Sequence, residues 1–396
     1  MNHRELFFRH IAQTSPAPLA LEIVKAEGCV LTDAGGKEYI DLIGGISVAN
    51  TGHRHPVVLN AMRQQMEAYL HIMVYGEFIE GPQVRYAKLL TDHLPASLNT
   101  VYFTNSGTEA VEGAMKLAKR VTGRTEIISF KNSYHGSTQG SLSIMGDEEW
   151  RNAFRPLLPG ITHLEFNSQQ AIDAINELTA CVIAEPVQAE AGIIVPDVAW
   201  MKALRDKCTT TGTLLILDEI QTGFGRTGRL WGFENSGIVP DVLLLGKALG
   251  GGMPLGAFIA DQKLMTAFTF EPVLGHITTF GGHPLSCAAG HAGLQVLLNE
   301  NILKTIDDKA TLFKLLLHHR SIKSITSSGL WLSVRFESFD HSKQVVNYCI
   351  QQGVITDWFL FAPECLRISP PLTISESQIR TAAQVILEAC DTMSEP

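Results

Sequence analysis

The chain has 396 residues, 45% of them hydrophobic, 18% charged and 8% aromatic, the balance of a globular protein large enough for two domains. A net charge of −9 and a pI near 5.9 give a nucleic-acid or anionic-membrane partner no electrostatic support. The acidic residues are spread out rather than gathered in a tail, so they speak for solubility and little else.

The opening stretch, MNHRELFFRHIAQTSPAP, is polar and charged without an apolar centre, unlike a secretory signal. No apolar run approaches the roughly 18 residues that a membrane span needs. Next, Ala34-Gly35-Gly36 inside VLTDAGGKEYIDLIGG predicts a β-hairpin turn. GHRHP at 52–56 predicts a turn that enters a helix. From about residue 100 to 260 the short apolar runs VYFT, IISF, ITHLEF, CVIAEP, LLILDE, VLLLG and GAFIA mostly alternate with amphipathic helical stretches, which predicts an α/β domain around a mainly parallel seven-stranded sheet. Helices return after Pro284, followed by the strand and turn region GLWLSVRFE and a last helix from Ser375. Residues 1–46 and 292–396 are expected to form a smaller α+β domain beside a large domain of residues 47–291. Seven scattered cysteines, none in CxxC spacing, fit reduced thiols of a cytoplasmic protein.

The chemistry gathers at strand ends. Residues 214–217 are apolar without a break, as in a strand buried on both faces, and the run stops at Asp218. A second such run, VLLLG, stops at Lys247. An acid and an amine at the carboxyl ends of such strands sit where open α/β sheets bind ligands. They are also the two groups that pyridoxal phosphate chemistry requires, although a salt bridge at a sheet edge would use the same pair. Upstream, Asn105-Ser106-Gly107-Thr108-Glu109 joins a strand to an amphipathic helix. Ser106 or Thr108 can cap that helix, whose free N–H groups suit an anion, and a plain cap is the alternative. Tyr134, with Gly136 two residues on, can stack on a flat heteroaromatic ring or serve as a structural tyrosine. CVIAEPVQAEAG supplies Glu185, Gln188 and Glu190, with Val187 a candidate for the ring face opposite Tyr134.

Other motifs fail on context. Residues 223–228 spell GxGxxG but open no helix, so the glycines are expected to shape a sharp loop at the mouth of the site rather than bind a dinucleotide. GKALGGGMPLGA has no Ser or Thr after Lys247 and is no phosphate-cradling P-loop. The histidines lack metal-site spacing, and no Gly-x-Ser-x-Gly elbow is present.

Taken together, GHRHP, NSGTEAVEGAMKLAK, YHGST, EPVQAEAG, LDEIQTGFGRTG, PDVLLLGKALGGGMPLGA, TTFGGHPLSCAA and LRISPPL resemble the class III aminotransferases of pyridoxal phosphate (PLP) fold type I, in that family's order. The resemblance implies a homodimer with PLP at the subunit interface, working on an amine donor and a 2-oxo acid by ping-pong half-reactions. It implies that Lys247 holds the cofactor as a Schiff base, that Asp218 pairs with the ring nitrogen and that Gln221 meets the ring hydroxyl. Tyr134 and Val187 would sandwich the ring, and Ser106, Gly107 and Thr108 would serve the phosphate. Thr279 would reach that phosphate from the partner subunit, with Thr278 near the substrate. Arg367 would bind an α-carboxylate, and Glu190 would neutralise it when no carboxylate is bound.

Two positions depart from the family pattern. Ser137 stands where members acting on ornithine, acetylornithine or 4-aminobutyrate carry an arginine for the remote carboxylate, and a serine makes no bidentate charged pair. Thr14 stands where ornithine-type enzymes have an aromatic residue. The departures imply weak activity toward those three donors. A racemase, an aminomutase or a decarboxylating transaminase could share the scaffold, since function lives in the site.

Overall fold

The computed structural model describes residues 2–392. All seven apolar runs form strands of one sheet, in the spatial order Thr100–Thr104, Gly256–Ala260, Val242–Leu245, Leu214–Asp218, Thr179–Ala184, Glu126–Phe130, Ile161–Leu164. The sheet is mixed. Four neighbouring pairs run parallel, whereas Gly256–Ala260 is antiparallel to both of its neighbours. Parallel neighbours need a crossover of a dozen or more residues, and positions 246–255 between the last two strands are too few.

Alternation explains why the central strands are apolar throughout. Leu215, Leu217, Leu243 and Leu245 pack on one face with Trp200, Met201, Leu204 and Cys208 of the helix Val198–Thr211. Ile216, Val242 and Leu244 pack on the other with Ala110, Val111, Ala114, Met115 and Ala118 of the helix Gly107–Thr122. Both faces are dry, at about 1.5–3 kcal/mol for each large side chain removed from water.

The hairpin forms as expected: Val30–Asp33 pairs antiparallel with Glu38–Asp41, and Asp33 Oδ1 accepts the N–H groups of Gly35 and Lys37 to tighten the turn. Val354 pairs with Ile40, so an early and a late segment share a four-stranded sheet. A third sheet joins Ser324–Ser327, Leu332–Arg335, Ala362–Ile368 and Trp358–Phe359. Two domains of α/β construction result, the last four positions of the late segment, 393–396, lying outside the described residues. GHRHP leads into the helix Pro56–Ala68, with Pro56 at its first turn. Among the described residues, no helix is long and apolar enough to cross a membrane.

The glycines of residues 223–228 do not shape a mouth. Their loop is buried: Arg226, fully enclosed, donates to the carbonyls of Leu330 and Pro370 and to Asn50 Oδ1, and a Cβ at Gly225 would strike Leu303. The loop is a stitch between segments that are distant in the chain.

Candidate active site

Asp218 is the last residue of its strand and lies in register with Leu244, three residues before Lys247, on the parallel neighbour. The acid and the amine therefore emerge from adjacent strand ends. Lys247 follows Gly246 and starts a short 3₁₀ helix at φ +49, a left-handed conformation rare for a residue with a side chain. Such strain concentrates at functional sites, where surrounding structure holds it in place.

A cavity of about 310 Å³ opens there. Of the residues singled out in the sequence, Gly107, Thr108, Tyr134, Ser137, Glu190, Asp218, Gln221 and Lys247 all line it. Ser106 lies one residue before, capping the helix by accepting the Glu109 N–H at 3.4 Å. Gly107 and Thr108 are the first two residues of that helix, whose opening turn carries N–H groups without intrahelical partners. Gly136, at φ +124, lets the backbone lie against Thr108, since a Cβ would come within 2.4 Å of Thr108 Oγ1.

The polar side chains form a continuous series. Lys247 Nζ donates to Gln221 Oε1 at 3.0 Å, and Gln221 Nε2 donates to Glu190 Oε1 at 3.4 Å. Glu190 accepts a bidentate pair from Arg367, at 3.0 Å from Nη1 and 2.9 Å from Nη2. Arg367 does not line the cavity; Glu190, which does, stands as its partner on the cavity side. Burial works to raise the Glu190 carboxyl, but the Arg367 charge and its hydrogen bonds prevail and hold it below the usual range. Burial lowers the Lys247 amine, against the pull of Glu190 and Asp218.

Two groups that sequence reasoning left without a role belong here. His135 is buried with Nδ1 2.7 Å from Asp218 Oδ2, and the Ile220 N–H donates to Asp218 Oδ1 at 2.9 Å, so the carboxylate is fixed at both oxygens. Burial works to lower the His135 imidazole, but Asp218 outweighs it and raises the pKa. Glu185 also lines the cavity, and burial pushes it up to about 7 although it accepts the N–H groups of Tyr134 and Ala189.

Val187 is a correction. It packs in a small apolar cluster with Trp331, Phe359 and Cys365, away from the cavity, whose apolar wall is Ile220 instead. The strand ends at Ala184, so side-chain alternation no longer predicts the direction of Val187. Ile220 also lies beyond its strand, which ends at Asp218, and its place at the cavity is set by the turn that follows. Thr278 lines a separate cavity with Tyr75, Tyr102 and Phe103, and Thr279 beside it is exposed. Within one chain neither reaches Lys247's cavity. Among the described residues, no cluster of three or more His, Cys, Asp or Glu side chains is arranged to hold a metal ion.

The arrangement has relatives. A family model described as Aminotransferase class-III matches residues 11–390. The acetylornithine aminotransferase of Methanopyrus kandleri is 38% identical over 395 residues, spanning 98% of this chain and 99% of its own. The ornithine aminotransferase from Toxoplasma gondii ME49 superposes with a TM-score of 0.89 at 28% identity, covering 99% of this chain and 96% of that one. A thermostable (S)-enantioselective omega-transaminase from Thermomicrobium roseum gives 0.90 at 26% identity, covering 99% and 98%. The chain therefore belongs to the class III aminotransferases, enzymes of fold type I that use pyridoxal 5′-phosphate to transfer amino groups. Small-molecule substrates and a dimeric assembly are typical of that family.

Proposed function

We propose that the chain moves an amino group from an amine or amino acid to a 2-oxo acid, 2-oxoglutarate or pyruvate, in two half-reactions at the cavity around Lys247. The donor set fits the family's cofactor: a helix N-terminus for its phosphate, a doubly anchored carboxylate for its ring nitrogen, and an amine for its aldehyde. When bound, pyridoxal 5′-phosphate supplies that aldehyde and an electron sink for the pair left when a Cα–H bond breaks. The chain's residues do the rest. Gly107 and Thr108, above the Ser106 cap, would hold the phosphate through the helix N-terminus. Asp218, fixed by His135 and Ile220, would keep a proton on the ring nitrogen by its opposite charge. Tyr134 and Ile220 would bracket the ring, and Gln221 would meet its hydroxyl. Lys247 Nζ, its pKa lowered by burial, would take the Cα proton and return it as general base and acid.

Arg367 would bind the carboxylate of the 2-oxo acid once Glu190 turns aside, and Glu190 would close the pair when the bound amine has no carboxylate. We further infer a cytoplasmic homodimer in which Thr279 of one subunit completes the phosphate site of the other, with Thr278 near the substrate. The division into residues 1–46, 47–291 and 292–396 is part of the same reading. Relatives named for acetylornithine and ornithine point to donors with a remote charge, but Ser137 points the other way, to donors uncharged at that end.

The observation that carries the reading is the unbroken series Lys247–Gln221–Glu190–Arg367, which runs from the cavity to the arginine behind it. Its test is Lys247→Ala. The variant is expected to fold, to lose the absorption band of the lysine-bound cofactor and to transfer no amino group. A normal band with residual turnover near wild type would refute the assignment.

A further inference from the structure

Arg367 has a second carboxylate. Asp357 Oδ1 lies 2.9 Å from Arg367 Nε, an ion pair by charge and distance though not aligned as a hydrogen bond, on the edge of the guanidinium that Glu190 leaves uncovered. The Trp358 carbonyl accepts from Nη2 at 3.0 Å, and the Phe359 ring lies 4.6 Å from Cζ. A guanidinium presents its N–H groups in one rigid plane, so fixing the Nε edge fixes where Nη1 and Nη2 aim. Asp357 is itself held by the backbone: its carbonyl accepts the Arg367 N–H at 2.9 Å, and the hydroxyl of neighbouring Thr356 donates to the Arg367 carbonyl. The carboxylate and the guanidinium thus rise from two strand ends bonded to each other and cannot drift apart.

We propose that Asp357 is a positioning residue that holds Arg367 by Nε, keeping its Nη1–Nη2 edge aimed at the substrate carboxylate when Glu190 leaves. This rests on the reading that Arg367 takes the carboxylate of the 2-oxo acid. A buried guanidinium whose only anion departs is left both unpaired and free to rotate, and each penalises the incoming substrate. With Asp357 in place the cation keeps a partner in both states. Exchange of Glu190 for substrate then needs only one edge to change hands.

The experiment compares Asp357→Ala, Asp357→Asn and Arg367→Gln in the holoenzyme, measuring KM and kcat for 2-oxoglutarate and the separate half-reaction with 1-phenylethylamine, which has no carboxylate. Asp357→Ala is expected to raise the 2-oxoglutarate KM about tenfold, the scale of one lost polar contact, with kcat and the amine half-reaction within about twofold of wild type. Asp357→Asn, which keeps an oxygen beside Nε, is expected to return KM to within about threefold. An unchanged KM in Asp357→Ala, an equal loss in both half-reactions, or no rescue by asparagine would each overturn the proposal. Arg367→Gln separates it from its premise. If that variant also leaves the 2-oxoglutarate KM unchanged, the role given to Arg367 fails as well; if it raises KM while Asp357→Ala does not, only Asp357 is misread.

Discussion

The Tyr134 hydroxyl lies 3.2 Å from Ser137 Oγ, and among the described residues lining the cavity there is no arginine, the one lysine being Lys247. Lys131, nearer along the chain, is paired with Glu165, and Arg151 and Arg155 are engaged with Glu148 instead. A donor carrying a carboxylate remote from its reacting amine thus lacks a contribution of roughly 1.5–3 kcal/mol, ten- to a hundred-fold in binding. Wild-type kcat/KM is expected to favour uncharged or aromatic amines over acetylornithine and 4-aminobutyrate, and Ser137→Arg to raise the latter two at least tenfold. Wild type handling acetylornithine as well as aromatic amines would contradict this. Glu219 gives a separate test by pH. Burial pushes its carboxyl up from 4.5 to about 7, although the N–H groups of Gly232 and Phe233 and the Thr222 hydroxyl donate to it. Between those values the folded state holds a proton that the unfolded state releases, so stability falls as pH rises through the window, by up to about 3 kcal/mol. Glu219→Gln should flatten that fall when urea midpoints are compared at pH 5 and pH 8, and equal slopes would count against it. At this scale the sequence was legible where a polar residue ends an apolar run, as at Asp218 and Lys247. It was opaque where partners meet through the fold, as His135 meets Asp218 and Asp357 meets Arg367, because no spacing rule links them.

The helix Gly107–Thr122 owes its position to close packing. A Cβ at Gly113 would lie 2.4 Å from Phe258 Cε1, and that ring is held by stacking on Tyr102, with centroids 4.8 Å apart. Alanine is the better helix former by about 1 kcal/mol, but overpacking a rigid core costs about 1–3 kcal/mol, so packing decides the sign. Gly113→Ala is expected to lose about 1 kcal/mol by denaturant midpoint. A gain in stability would mean that Phe258 yields. The inner strands of the large sheet could be read from their apolar runs, because burial on both faces leaves little polar interruption, whereas the edge strand Ile161–Leu164 is only partly buried and carries Thr162 and His163. Strand direction was harder to read. The antiparallel course of Gly256–Ala260 follows from the short connection behind Lys247, a constraint of chain length rather than of periodicity.

Over the whole molecule, the apolar surface is uneven. Ile79 is 94% exposed, Val273 70% and Phe270 65%, with Phe78 and Phe280 about half exposed, and the last of these adjoins Thr279. Phe280 is therefore among the residues that a second subunit would cover in the dimer proposed above, in which Thr279 completes the neighbouring phosphate site. In the proposed reaction the cavity accepts an amino group, stores it, and passes it to a 2-oxo acid. The most direct measurement is a single half-reaction. Purified holoenzyme is mixed with excess amino donor and no 2-oxo acid, and the carbonyl product is counted per active site. The account predicts one equivalent released and then arrest, with release resuming when 2-oxoglutarate or pyruvate is added. Continuous turnover of the donor without an acceptor would contradict it and point to a racemase, a mutase or a decarboxylase on the same fold.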